Sequence, residues 1–94
     1  MAKKIIWTQS AYENLSEIAE YIEKDSMYYA SAWVQKIICT AKTLELFSER
    51  GRKVPEFVDS NVREIFIGNY RLIYRIKPHQ IEIISIIHGM RSLK

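Results

Sequence analysis

The sequence predicts an α+β fold in the order β-α-α-β-β-β, a helical hairpin packed on a small, mainly antiparallel sheet. Three observations predict it. Apolar residues recur at helical spacing along two stretches of the first half. From Val62 onward the period changes to two. Neither a one-sided helix nor a one-sided sheet can bury its apolar face alone, so the two must pack together. The 94 residues form one domain, residues 1–94, since domains usually run to roughly 100–150 residues and rarely divide below that. A hydrophobic fraction of 48%, with Trp7, Trp33 and six tyrosines, supplies a core and excludes disorder.

The elements follow in order. Lys3–Trp7, "KKIIW", reads as a short first strand. Ser10-Ala-Tyr-Glu13 has the S-x-x-E form of a capping box, which predicts a helix start there. Ala11, Leu15, Ile18 and Ile22 then put one apolar stripe on this helix. The polar break "KDSM" (24–27) leaves room only for a tight connection. A second helix is expected from about Met27 to Glu49, ending before Gly51, with Ala30, Trp33, Ile37, Ala41 and Leu44 on its stripe. "RGRKVPEFVDSN" (50–61) reads as a loop. Val62–Ile67 is a strand, Gly68-Asn69 a two-residue hairpin turn, and Tyr70–Lys77 the next strand. Pro78-His79-Gln80 turns the chain into Ile81–His88. That strand is apolar at both parities, Ile81, Ile83 and Ile87 against Ile84 and Ile86, as expected of a central strand covered on both sides.

Composition excludes several classes. One cysteine, Cys39, excludes an internal disulfide framework and fits a reducing cytosol. No uncharged apolar run approaches the roughly 20 residues that span a bilayer. The apolar run after Lys3 and Lys4 is too short for a signal peptide, so a cytoplasmic protein with no membrane partner is expected. There is no Cys/His ligand spacing, no phosphate-binding glycine loop, no dinucleotide fingerprint and no nucleophile elbow, and neither a metal nor a cofactor is expected.

The net charge of +3 is unevenly spread. Residues 8–49 hold seven acids against three lysines, or −4. Residues 50–94 hold nine bases against four acids, or +5, and Lys3 and Lys4 add +2. That asymmetry points to an anionic partner for the C-terminal half, or simply to an uneven solvated surface.

Three places carry chemistry. Alternation in "YRLIYRI" puts Tyr70, Leu72, Tyr74 and Ile76 on the helix-covered face, and Arg71, Ile73 and Arg75 on the other, where the arginines point outward. A guanidinium donates two parallel hydrogen bonds and suits phosphate. The alternative is two ordinary strand residues, paired across to Glu64 or Glu82. His88 closes the last strand, followed by Gly89 and Arg91; near neutral pH it can serve as acid or base, or be structural. Glu56 lies among Arg50, Arg52 and Lys53. It is either a salt-bridge partner that holds the loop or a general base that takes a proton from a ribose 2′-OH.

Taken together, "W-T-x-x-A" (7–11), the helical hairpin, "GRKVPE" (51–56), "VREI" (62–65), "YRLIYRI" (70–76) and "IIHGMR" (86–91) resemble the RelE/ParE superfamily of toxins from bacterial type II toxin–antitoxin modules. The resemblance runs from Trp7 to Arg91. It implies growth arrest by one of two routes, with a cognate antitoxin that neutralises the toxin in either case, as a hetero-oligomer or beside a homodimer. RelE-like members are ribosome-dependent mRNA endonucleases. For that branch the resemblance assigns Arg71 to a phosphate-binding arginine, Arg91 to a second essential arginine and Glu56 to the neighbourhood of a carboxylate base. ParE-like members inhibit DNA gyrase and are not known to carry a hydrolytic site. RelE's tyrosine after the final arginine and its lysine pair before the second strand have no counterparts here. "GRKVPE", "VREI" and "HGMR" look like the ParE and plasmid-stabilisation branch, so gyrase is the expected target and the ribosome with mRNA the alternative. The target surface expected on either route comprises Arg52, Lys53, Arg71, Arg75, His88 and Arg91.

Overall fold

The computed structural model describes residues 2–89. Its elements are β1 (Lys4–Trp7), α1 (Gln9–Glu23), α2 (Met27–Thr43), β2 (Arg52–Lys53), β3 (Val62–Ile67), β4 (Tyr70–Ile76) and β5 (Gln80–His88). They build a five-stranded sheet in the order β1-β5-β4-β3-β2. β1 runs parallel to β5 and every other pair is antiparallel. The expected α+β class and the helical hairpin over the sheet are what the chain forms.

α1 starts two residues earlier than the capping box predicts. Its N-cap is Thr8, not Ser10. β1 ends at Trp7, so Thr8 is the first residue free to take the extended cap conformation. Its hydroxyl accepts from Ala11 N at 3.1 Å and donates to the carbonyls of Ile83 and Ile84 at 2.8 and 3.1 Å. One side chain thus satisfies an orphan helix amide and ties the helix start to β5.

α2 is capped by Ser26, whose hydroxyl accepts from Tyr29 N at 3.2 Å, and it ends at Thr43 instead of Glu49. Past Thr43 the backbone carbonyls find partners outside the helix. Glu45 O accepts from Lys3 N at 2.9 Å, and Ser48 O accepts from the Tyr74 hydroxyl at 2.7 Å. The same hydroxyl accepts from Gly51 N at 2.9 Å. At Gly51 a Cβ would lie 2.6 Å from Glu64 O and 2.7 Å from the Tyr74 hydroxyl, so only glycine passes. The close approach brings Arg52 and Lys53 alongside β3. The segment expected to be all loop therefore contributes an edge strand, paired Arg52 to Glu64 and Lys53 to Arg63.

The hairpin turn is as expected. Gly68 has φ +59°, and a Cβ there would collide with the Trp33 ring. The turn places Ile67 opposite Tyr70 and Phe66 opposite Arg71.

β5 contains a bulge. Ile73 faces Ser85 but Tyr74 faces Ile83, which leaves Ile84 as the extra residue. The inserted residue flips the parity of the rest of the strand. Ile81, Ile83 and Ile86 join the helix-side core, while Ile84 and Ile87 pack on the opposite side. This regroups Ile86 and Ile87 relative to plain alternation, and it is why the strand is apolar throughout. Asn14 of α1 closes the bulge: its Oδ1 accepts from Ile86 N and from Ser85 Oγ, both at 3.0 Å.

The main core joins Ala11, Ile18, Ile37, Ala41 and Leu44 to Ile67, Leu72, Tyr74, Ile81, Ile83 and Ile86. The other sheet face has a small core of its own. Val54, Val62 and Ile73 pack there with Phe57, Ile84 and Ile87, so residues 54–61 form a strap across the sheet.

Candidate functional site

The strap decides what β4 can present. Alternation does put Arg71, Ile73 and Arg75 on the face away from the helices, but Ile73 is buried under the strap and Arg71 is buried too. The expectation of an outward-pointing Arg71 is corrected by its surroundings.

Arg71 lies between two carboxylates, its side chain 6% exposed, with Glu64 at 0% and Glu56 at 20%. Its Nε and Nη2 reach Glu64 Oε1 at 2.7 and 2.5 Å. On the outer edge, Nη1 donates to Glu56 Oε2 at 3.3 Å and Nη2 to Glu56 Oε1 at 3.1 Å, a bidentate pairing. The second oxygen of Glu64 takes Arg52 Nε at 2.5 Å. Arg52 is itself exposed and lies 5.1 Å from the centroid of the Phe66 ring. Two arginines and two carboxylates therefore cancel. Hydrogen bonding to Glu56, opposed by burial and reinforced by Glu64, raises the Arg71 pKa above its ordinary value. The guanidinium is locked in its charged state and already paired.

The remaining expected residues are scattered. Arg75 sits 3.9 Å from both Asp59 and Glu82, at the edge of ion-pair range. Lys53 is exposed on β2 at the parity of Arg63, opposite to that of Arg52. Arg91 lies outside the described residues. His88 is exposed at the end of β5 on the helix side, its ring 6.1 Å from that of Tyr70. The sheet thus separates His88 from Arg71, and of the expected residues that are described the structure gathers Glu56, Arg52 and Arg71 into one cluster. Glu64, the residue that organises it, was legible: a two-residue turn at 68–69 puts Glu64 diagonal to Arg71 on one sheet face.

His88 instead lines a cleft of about 710 Å³ between α1 and the end of β5. Its walls include Asn14, Glu17, Tyr21, Trp33, Tyr70 and His88. Trp33 and Tyr70 meet edge to face at 5.8 Å. Among the described residues no group of three or more His, Cys, Asp or Glu converges to hold a metal ion. No helix among them is long and apolar enough to cross a membrane.

Comparison with known proteins places the chain. The family model described as the ParE toxin of the type II toxin–antitoxin system parDE matches residues 5–93. A Sinorhizobium fredii protein named "Putative toxin Y4kP" is 34% identical over 89 residues, spanning 93% of this chain and 88% of that protein. Two solved structures share the fold. The chromosomal ParDE toxin–antitoxin system from P. aeruginosa aligns with a TM-score of 0.76 at 23% identity, covering 93% of this chain and 96% of that one. The toxin–antitoxin complex RelBE2 from Mycobacterium tuberculosis aligns with a TM-score of 0.68 at 20% identity, covering 94% and 92%.

Proposed function

The chain belongs to the ParE toxin family of type II toxin–antitoxin systems, and from that premise we propose that it arrests growth by inhibiting DNA gyrase, with a cognate antitoxin that neutralises it. The observation that carries this reading is the pairing of Arg71. Affinity for nucleic acid comes largely from cations that displace counterions from phosphates. In this chain the arginine that the RelE-like branch turns toward mRNA has both edges taken by Glu64 and Glu56. A protein target makes no such demand on it.

Purified toxin added to gyrase is expected to inhibit supercoiling and to trap cleaved DNA. Unchanged supercoiling and cleavage at stoichiometric excess would overturn the reading.

One observation favours a second reading, a ribosome-dependent mRNA endonuclease. Glu56 is the more exposed of the two carboxylates and touches Arg71, an arrangement that could pair a general base with a phosphate ligand. Arg91 would be the second phosphate ligand. On that reading, primer extension on translated mRNA shows new cuts during arrest, and Glu56→Gln removes them. An intact transcript pool would exclude it.

A further inference from the structure

We propose that the cleft between α1 and the end of β5 binds a cationic side chain, arginine or lysine, carried by a basic segment of a partner protein. The inference goes beyond the gyrase reading, because it sets the charge of the segment that docks here without depending on which protein supplies it.

The lining selects for a cation. Glu17 supplies the one carboxylate among the described lining residues, is exposed on α1, and makes no hydrogen bond or ion pair with any described residue. Among the described residues no lysine or arginine lines the cleft. Trp33, Tyr70 and Tyr21 supply aromatic surface, and Tyr21 remains 69% exposed. A guanidinium or ammonium entering beside Glu17 would gain a charge-assisted hydrogen bond and contact with ring faces, the combination that makes aromatic clefts hot spots for arginine.

The surroundings select for a basic segment over a lone ligand. Seven acids and three lysines fall in residues 8–49, and Glu13, Glu20, Glu23 and Asp25 on or just after α1 are all exposed. Tyr28 and Tyr29, 77% and 61% exposed, extend the aromatic surface to the closed end of the hairpin. The same negative field repels a nucleic-acid backbone, so a protein is the occupant.

Nuclear magnetic resonance on the whole chain tests this with N-acetyl-arginine amide as probe and N-acetyl-glutamate amide as control. The arginine compound is expected to shift the Trp33 indole N–H and the Asn14 and Asn69 side-chain amides in a saturable way. Glu17→Gln, a surface change with the fold retained, should weaken that binding about fivefold, and Tyr21→Ala should weaken it as well. Shifts of equal size with the glutamate compound, shifts spread evenly along α1, or an unchanged affinity in Glu17→Gln would each overturn the proposal. So would concentration-dependent shifts of the same resonances without ligand, which would identify a second copy as the occupant. None of these outcomes depends on whether gyrase is inhibited.

Discussion

The strap side of the sheet and the helical hairpin carry opposite charges and treat them in opposite ways. On the strap side nearly every charge has a partner. Arg52 and Arg71 share Glu64, Arg71 also holds Glu56, Arg75 approaches Asp59 and Glu82, and Lys77 Nζ meets Glu82 at 3.1 Å. All four acids from residue 50 onward are consumed in this way. On the hairpin, Glu17, Glu20, Glu23 and Asp25 make no ion pair with any described residue. In the half that counts as basic the acids are all taken into pairs and the arginines at the sheet face are held by them, whereas the acids of the hairpin stay open to solvent. Net charge per segment therefore misstates which region is ready for a charged partner, because it cannot see pairing.

Removing Arg71 should break this contrast most severely. Arg71→Ala leaves the fully buried Glu64 with only Arg52, and orphaned buried charges cost about 3–5 kcal/mol. Urea denaturation should show that loss. A change below about 1 kcal/mol would mean that the cluster is hydrated and the pairing superficial.

The bridge that brings β2 into place should come next. Tyr74→Phe removes the hydroxyl that joins Ser48 O to Gly51 N, and should cost about 1–3 kcal/mol. Gly51→Ala should cost a similar amount, about 1–3 kcal/mol, by forcing apart Glu64 O and Tyr74.

Tyr74 also predicts a pH dependence. Burial, as the main cause, raises its pKa above the ordinary 10.0. The folded chain then holds this proton more tightly than the unfolded chain. The resulting stability is complete below pH 10 and is lost as pH climbs from there through the folded pKa. Tyr74→Phe should flatten that part of an alkaline stability profile, and an unaltered profile would contradict the burial argument.

The smallest effects belong to the weakly paired and the open charges. Arg75→Gln, at the edge of ion-pair range, should change stability by no more than about 0.5 kcal/mol. Glu20→Gln and Glu23→Gln should leave the urea midpoint where it is. A clear loss in either hairpin variant would show that those acids are paired after all.

Much of this was legible in the residues. Helical spacing from Ala11 to Ile22, the change of period at Val62 and the glycine turn at Gly68 lead directly to the architecture. What stayed hidden came from contacts distant in sequence. Ser10 and Glu13 are as good a local cap as Thr8, and only the carbonyls of Ile83 and Ile84 decide between them. Past the end of α2, Lys3 and Tyr74 claim carbonyls across the molecule. The bulge at Ile84 hides in an apolar run, because isoleucine suits either face. At the site, alternation gives the correct face for Arg71, and the turn register gives Glu64 beside it. It cannot give the strap. Residues 54–61 fold over that face through Val54 and Phe57, and this converts an apparently exposed arginine into a buried one.

The central claim, that Arg71 and Glu56 are a structural pair in a toxin that acts on a protein, is tested most directly by expressing Glu56→Gln beside the parent chain. Growth arrest and gyrase-linked DNA cleavage would be scored against mRNA cleavage in the same cultures. The account predicts that the variant, folded and at equal abundance, still arrests growth and still traps cleaved DNA, with no translation-dependent mRNA cuts from either chain. Loss of arrest in Glu56→Gln, together with mRNA cuts made only by the parent chain, would contradict it and make Glu56 a catalytic base.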